Sequence, residues 1–261
     1  MRLLIISLCL IATLATATAG TSPSPAEQRL LFLLNLEREH NNVPPLAWDT
    51  HNAAAAQAHA ANVLQHSELS HQYPDEPELT VRLGTAGARF DGAAENLALD
   101  DNLEDAHAAL MYSPGHRANI LNGRYNAVGI SVAEKGRKLY VVQVFSHRLP
   151  EYSDEQFQQV FVTAVNQARQ GRGLRLLAEH QDQFMHGTAC STDGIARRLP
   201  VPEGQNTSVA AFTSSDPTYV PEGIRKYVDA SYVHWISVGA CFRPNARYGY
   251  GNFWVVVSFG S

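Results

Sequence analysis

The chain has 261 residues, of which 45% are hydrophobic and 17% charged, so it can bury ordinary cores and is not an intrinsically disordered chain. This length allows one or two domains. The formal net charge of -5 is spread along the chain without a basic patch, which argues against a nucleic-acid partner.

Residues 1–19 have the pattern of a signal peptide. Arg2 supplies a short positive start, an apolar run covers residues 3–14, and Ala17-Thr18-Ala19 is a small-residue cleavage site. The apolar run is too short for a comfortable membrane span, although a retained N-terminal anchor is the alternative. We therefore predict a secreted or periplasmic protein whose mature chain has no integral membrane segment.

Two cysteines remain once the leader is removed, because Cys9 lies inside the leader. In an oxidising compartment we expect Cys190 and Cys241 to form a disulfide. A closed loop of about fifty residues adds about 4 kcal/mol in the chain-entropy model. Two independent buried thiols are the alternative.

The predicted elements begin after a linker at residues 20–26. Ser24-Pro25-Ala26-Glu27 is a capping box with proline at the first helical position, and it predicts a helix that ends near Asn41. Asp49 is placed to cap a second, alanine-rich helix that runs to about Gln65. The many small side chains of this helix imply close packing against a neighbouring element.

Three histidines, His59, His66 and His71, fall within thirteen residues and raise the question of a metal site. His59 and His66 are seven residues apart, whereas helical metal-binding pairs are usually three or four apart. We therefore interpret these two as hydrogen-bonded helix residues. His71 lies where the helix gives out, and we keep it as a candidate site residue.

Residues 72–92 are acidic and rich in turn-forming residues, and they are predicted to form a surface excursion. Glu95 follows between apolar neighbours, so we expect it to be partly buried and to have a partner. A structural salt bridge or a backbone contact would satisfy that requirement. Asn102 then predicts the start of a helix that runs through Met111.

The segment Ser113-Pro114-Gly115-His116-Arg117-Ala118-Asn119-Ile120-Leu121 is typical of a helix start with a histidine at its mouth. The Ser113 hydroxyl is expected to cap the first turn, and Pro114 suits the first helical position. The positive end of the helix dipole disfavours the charged form of His116. A fixed neutral imidazole suits a metal site or a proton-transfer site. A capped surface helix with an incidental histidine is the alternative.

Two segments rich in β-branched residues, 127–132 and 139–145, flank a charged turn and predict a hairpin. Several helices before a hairpin indicate an α+β domain with an antiparallel sheet between helices.

The second half of the chain, from a boundary near Pro150, repeats features of the first. Asn35-x-x-Arg38 returns as Asn166-x-x-Arg169, and the strand 141–145 returns as 255–259. Val128-Gly129-Ile130 likewise returns as Val238-Gly239-Ala240, and the second half has a shorter middle without a Ser-Pro-Gly-His segment. We predict that residues 150–261 are a shortened, degenerate second copy of the first domain, with chance similarity as the alternative.

Four motifs in this order resemble the CAP superfamily of cysteine-rich secretory, antigen 5 and pathogenesis-related 1 proteins (SCP domains), and especially its short bacterial branch. They are Asn35-x-x-Arg38, Leu69-Ser70-His71, Ala94-Glu95-Asn96-Leu97 and the segment from Ser113 to Leu121. The resemblance implies an α-β-α sandwich over residues 27–149, with a cleft lined by His71, Glu95 and His116. This chain departs from the family at residues 110–113, which lack the glutamate that members often carry there, and its first half lacks the disulfides of the secretory branch.

The resemblance further implies that His71 and His116 can bind zinc, with Glu95 as a third ligand and an open fourth position. Such a site should release metal below about pH 6, as the imidazoles become protonated. We expect a non-catalytic binding or interaction module for an extracellular ligand, with a lipid, a sterol or a peptide as candidates. A zinc-dependent extracellular hydrolase of peptides or lipids is the alternative. Asn206-Thr207-Ser208 is a glycosylation sequon that matters only in a eukaryotic secretory pathway.

Overall fold

The computed structural model describes residues 22–191, 207–244 and 251–261. The predicted leader at 1–19 and the sequon residue Asn206 lie outside the described residues. In the first half the elements are α1 Pro25–His40, β1 Ala47–Trp48, α2 Thr50–His66, α3 Leu79–Thr85, β2 Phe90–Asp100, α4 Leu103–Tyr112, α5 Pro114–Ile120, β3 Ala127–Lys135 and β4 Lys138–Arg148. In the second half they are α6 Asp154–Gln170, β5 Ala178–Glu179, α7 Gln183–Cys190, β6 Thr207–Ser214, α8 Glu222–Val228, β7 Trp235–Pro244 and β8 Gly251–Gly260.

The predicted helix starts are confirmed for the first three capped helices. Ser24 and Glu27 form the reciprocal capping box of α1, with the Ser24 amide 2.8 Å from Oε2 of Glu27. Asp49 accepts from the Asn52 amide at the start of α2, and Asn102 accepts from the Asp105 amide at the start of α4. These side chains satisfy amides that the first helical turn leaves without partners, so local sequence alone defines where the helices begin.

The first half is built on a four-stranded sheet in the order β1-β3-β4-β2. The predicted hairpin is confirmed, since β3 and β4 pair antiparallel from Ala127 opposite Ser146 to Lys135 opposite Lys138. The strand β2 pairs antiparallel with β4 and forms one edge of the sheet, with Glu95 opposite Val144. The short β1 is parallel to β3.

Two apolar layers lie on opposite faces of this sheet. One is formed by α1, α4 and α5 against residues such as Val128, Val141 and Phe145. The other is formed by the alanine-rich face of α2 against Val142 and Val144. Residues of β4 alternate between the two layers because side chains on a strand alternate between its faces. The predicted α+β class and α-β-α sandwich are confirmed.

The start of α2 packs very closely against β3 at Gly129. A Cβ atom at Gly129 would lie 1.9 Å from the backbone nitrogen of Ala53 and 2.2 Å from the carbonyl carbon of Asn52. The start of α2 therefore rests directly on the backbone of β3, which only glycine permits.

The second half contains another four-stranded sheet with the same connectivity, in the order β5-β7-β8-β6. The side chain of Asn35 exchanges two hydrogen bonds with the backbone of Leu46, and Asn166 does the same with Leu177. Arg38 and Arg169 are both fully buried behind these contacts. The prediction that a second sheet-containing region follows the first domain is confirmed.

The disulfide predicted between Cys190 and Cys241 is present, and it joins α7 to β7. The two halves also contact each other directly. The guanidinium of Arg89 lies 3.9 Å from the ring centroid of Phe242 and donates to the carbonyl of Tyr152 at 2.7 Å. Within the described part of the chain, no helix combines the length and apolar character that crossing a bilayer requires.

Candidate functional site

The candidate cleft lies at the β2 edge of the first sheet. Glu95 and Asn96 are neighbours on β2, so their side chains lie on opposite faces of the sheet. Leu97 shares the face of Glu95 and packs into the α2 layer, whereas Ala98 shares the face of Asn96 and packs into the layer of α1, α4 and α5. Glu95 and Asn96 therefore face the helical layers on opposite sides of the sheet.

On the α2 side, Glu95 contacts His71, which lies in the loop after α2. Nδ1 of His71 is 3.1 Å from Oε1 of Glu95. The other carboxylate oxygen, Oε2, accepts from Nη2 of Arg82 at 2.6 Å. The Glu95 side chain is only 4% exposed, whereas that of His71 is 58% exposed. A buried carboxylate thus holds a histidine that faces solvent.

Behind Glu95 lies a buried charged network of His59, Glu76, Arg82 and Glu95. Nδ1 of His59 is 2.8 and 2.9 Å from the two oxygens of Glu76, and its Nε2 is 3.6 Å from Oε1 of Glu95. Nη1 of Arg82 lies 3.3 Å from Oε1 of Glu76. Each charge therefore has an opposite charge or a hydrogen-bonding imidazole beside it, which offsets the large cost of burial.

On the other side of the edge strand, Asn96 fixes the helix that carries His116. Nδ2 of Asn96 donates to the backbone carbonyl of His116 at 3.1 Å and to Oε1 of Gln143 at 3.2 Å. Nδ2 of Asn119 donates back to Oδ1 of Asn96 at 2.9 Å. The His71 and His116 rings approach each other with their centroids 6.4 Å apart.

The structure thus brings together all three residues that the sequence analysis selected, His71, Glu95 and His116. Burial, and to a smaller extent the charge of neighbouring His71, lower the pKa of His116 below its ordinary value. His116 is the third residue of α5, as predicted. Its imidazole is consequently neutral under conditions in which an isolated histidine would already be partly charged.

The predicted cap by the Ser113 hydroxyl is wrong. Ser113 holds the N-cap position of α5, yet its side chain makes no capping hydrogen bond. The same residue ends α4, where its amide donates to Ala109, while its carbonyl accepts from the Arg117 amide. The backbone of Ser113 therefore joins two helices directly, with Pro114 starting the second.

The sequence analysis missed Glu76 and Arg82, because it treated residues 72–92 as a surface excursion. Glu76 is 8% exposed and Arg82 is 5% exposed, and Arg82 belongs to the short helix α3. The interpretation of His59 as a hydrogen-bonded helix residue is confirmed, with Glu76 as its partner. His66 instead stacks on Tyr73, with ring centroids 4.2 Å apart. Leu83, which follows Arg82, is also fully buried.

The corresponding positions in the second half are apolar. When the strand 141–145 is matched to 255–259, as in the sequence repeat, the strand registers place Val209, opposite Ser258, where the first half has Glu95 opposite Val144. The seven residues of α8 correspond to those of α5, which places Ile224 at the position of His116. Ile224 is 2% exposed and belongs to the core of the second half. Among the described residues, the counterparts of Glu95 and His116 therefore lack the polar chemistry of the cleft.

Together, the fold and the cleft define a class of protein: an α-β-α sandwich domain with a pair of histidines and a buried carboxylate at one edge of its sheet. Residues 31–145 match the model of the cysteine-rich secretory protein family, CAP. The match identifies residues 31–145, and not the whole chain, as a region similar to the CAP family.

Two relatives come from Bacillus subtilis strain 168. The protein YkwD is 30% identical over 125 residues, which are 48% of this chain and 49% of YkwD. The membrane protein YlbC is 31% identical over 126 residues, which are 47% of this chain and 35% of YlbC. The match thus spans half or less of these relatives. A solved structure of an extracellular SCP-domain protein from Bacillus anthracis is 27% identical and has a TM-score of 0.44, over 49% of this chain and 45% of that one.

Proposed function

We propose that the protein is an exported binding module whose cleft takes up a divalent metal ion, zinc in the first instance, on His71 and His116. The observation that carries the proposal is the hydrogen bond between Nδ1 of His71 and Oε1 of Glu95, at 3.1 Å, with Glu95 in turn held by Arg82. An ionised carboxylate only accepts hydrogen bonds, so His71 donates from Nδ1 and keeps the lone pair of Nε2 for a ligand.

The two histidines lie close enough to share an ion after a small movement. Two imidazoles bound tetrahedrally to one zinc ion at Zn–N distances of about 2.0–2.1 Å have their ring centroids about 5 Å apart. The observed separation is 6.4 Å, so we expect the rings to approach each other by about 1 Å when the ion binds. Metal ligands must be deprotonated, and the lowered pKa of His116 meets that requirement. Zinc bound there would supply an electrophilic centre for an oxygen or nitrogen atom of a ligand.

We propose that Glu95 orients His71, and that it is not the third metal ligand that the sequence led us to expect. Its Oε1 contacts His71 and its Oε2 contacts Arg82, so both oxygens are already engaged. Carboxylates that hold the far nitrogen of a metal-binding histidine are common, and they fix the tautomer and the orientation of the ring.

The same contacts favour binding over hydrolysis. A hydrolytic metal site needs a base placed to take a proton from the attacking water. The two carboxylates of the buried network, Glu76 and Glu95, are engaged by His59, His71 and Arg82 and are directed away from solvent. This arrangement supports a binding role for the cleft.

We also infer that the second half arose by duplication of the first and now serves as a structural partner. The shared sheet order and the repeated contacts of Asn35 and Asn166 support this inference. Val209 and Ile224 at the positions of Glu95 and His116 support the loss of the cleft chemistry.

Calorimetric titration of the EDTA-treated protein with Zn²⁺ tests the proposed function. We expect His71→Ala and His116→Ala each to weaken binding at least about tenfold, and Glu95→Gln to weaken it about 10- to 100-fold. His40→Ala, at an exposed position on α1, is the control and should bind like the parent. Unchanged binding by the double variant His71→Ala/His116→Ala would show that zinc does not bind in this cleft. Hydrolysis of a peptide or ester that is lost with EDTA and with Glu95→Gln would establish the hydrolase instead.

A further inference from the structure

The second half contains a different cluster of potential metal ligands, formed by Asp154, His186, Cys190 and Cys241. One ligand atom from each residue can be chosen such that all four lie within 4.8 Å of one another. Asp154 is the first residue of α6, His186 and Cys190 lie on α7, and Cys241 lies on β7. His186 and Cys190 are four residues apart, a spacing that places two side chains on one face of a helix.

Within this cluster, Cys190 and Cys241 are joined as a disulfide. Cysteine binds metal ions as a thiolate, and not as part of a disulfide. We propose that reduction of this disulfide creates a zinc site with two cysteine ligands, one histidine and one aspartate. A phosphine reductant and one water supply two electrons and two protons, the S–S bond breaks into two thiols, and the phosphine becomes its oxide. Zinc binding then releases the two thiol protons.

One distance in the cluster already matches an edge of a zinc tetrahedron, and a second is about 0.4 Å shorter than its edge. With Zn–S bonds of about 2.3 Å and Zn–N or Zn–O bonds of about 2.0–2.2 Å, sulfur and nitrogen lie about 3.6 Å apart and nitrogen and oxygen about 3.4 Å apart. Sγ of Cys190 is 3.6 Å from Nε2 of His186, and the same nitrogen is 3.0 Å from Oδ2 of Asp154. The main change is that the sulfur atoms move from bonding distance to about 3.8 Å apart.

Other contacts keep these ligands in place once the disulfide is open. Met185 and Ala189 of α7 pack against Val256, so apolar contacts hold the helix on the sheet in addition to the disulfide. Oδ1 of Asp154 accepts from the Phe242 amide at 2.9 Å, which leaves Oδ2 directed toward His186. The His186 side chain is 48% exposed, so an ion can enter from solvent.

The test uses the mature chain with the substitutions His71→Ala and His116→Ala, which remove the histidines of the cleft in the first half. Its result is therefore independent of the proposed function. After reduction and removal of oxygen, titration with Co²⁺ should give one bound ion with thiolate-to-cobalt charge-transfer absorption, and the oxidised protein should give none. Zinc should displace the cobalt. We expect His186→Ala and Asp154→Asn each to weaken zinc binding at least about tenfold. His234→Ala, at an exposed position outside the cluster, is the matched control.

Two results would overturn the proposal. One is a reduced protein with two free thiols and no thiolate–cobalt absorption. The other is zinc binding that His186→Ala and Asp154→Asn leave unchanged, since a simple dithiolate would then suffice. If reduction unfolds the second half, far-UV circular dichroism detects the loss of secondary structure. Recovery of the native spectrum on addition of zinc supports the site, and unfolding that zinc does not reverse excludes it.

Discussion

Arg38 and Arg169 make the same four hydrogen bonds in the two halves of the chain. Arg38 donates to the carbonyls of Pro44, Ile120, Asn122 and Tyr125 at 2.7, 2.7, 3.0 and 3.1 Å. Arg169 donates to those of Arg175, Val228, Ala230 and Val233 at 2.7, 2.7, 3.0 and 3.2 Å. Each guanidinium thus ties the first helix of its half to the helix and loop that precede the sheet hairpin.

We expect Arg38→Met and Arg169→Met each to destabilise the half that contains the substitution by about 3–5 kcal/mol. The reason is that each change leaves buried carbonyls without donors. Urea unfolding followed by circular dichroism measures the effect. Arg29→Met, which removes an exposed arginine paired with Glu104, should change stability far less than Arg38→Met. Equal effects of Arg29→Met and Arg38→Met would contradict the structural role assigned to Arg38.

Gly129→Ala should destabilise the first half by about 3 kcal/mol, because the new methyl group meets the backbone of Asn52 and Ala53 and must push α2 off the sheet. Thermal unfolding measures this loss. Gly115→Ala is the control, since a Cβ there has nothing within 4 Å and lies in a helix. It should be neutral or stabilising by up to about 1 kcal/mol. A neutral Gly129→Ala would show that α2 does not rest on β3 as described.

His107 on α4 is 7% exposed, and neither of its ring nitrogens has a hydrogen-bond partner among the described residues. Burial lowers the pKa of His107, and the charge of Glu37 opposes this only in part. The unfolded chain, with a pKa of about 6.5, therefore takes up the proton first. The stability that neutral His107 contributes is present above about pH 6.5 and is lost as the pH falls through the lowered value.

His107→Leu should accordingly raise the melting temperature and reduce its decline between about pH 7 and pH 5. Melting curves at several pH values measure both effects. His234→Leu, at an exposed histidine, should leave that decline unchanged. A parallel decline in the parent and in His107→Leu would show that another group causes the acid sensitivity.

The pKa of His116 provides a direct test of the geometry of the cleft that contains His71 and His116. Burial is the larger cause of its lowering, and repulsion from His71 is the smaller one. We therefore expect His71→Gln to raise the pKa of His116 only part of the way toward about 6.5. Histidine ring resonances followed by NMR during a pH titration of the metal-free protein report this value. An ordinary pKa for His116 in the parent would mean that its ring is not enclosed as the structure indicates.

Glu76 and Arg82 show where prediction from sequence stopped. Their segment is polar and turn-rich, so composition predicted a solvent-exposed loop. In the folded protein the guanidinium of Arg82 is placed between two carboxylates, one of them from a strand. Charges of opposite sign can be buried together once the fold brings them into contact, and no local pattern reveals that pairing.

The sequence by itself determined the helix starts, the strand hairpin and the repeated Asn-x-x-Arg element, and its resemblance to the CAP superfamily selected His71, Glu95 and His116. The helix starts and the hairpin rest on short-range chemistry: side chains that cap nearby amides, and apolar residues at helical or strand spacing. Tertiary structure alone decided what Glu95 does, because its partners His59, His71 and Arg82 come from three separate segments. It also decided that Asp154 and His186 lie beside the disulfide, since only the packing of α6, α7 and β7 brings residues so distant in sequence within a few ångströms.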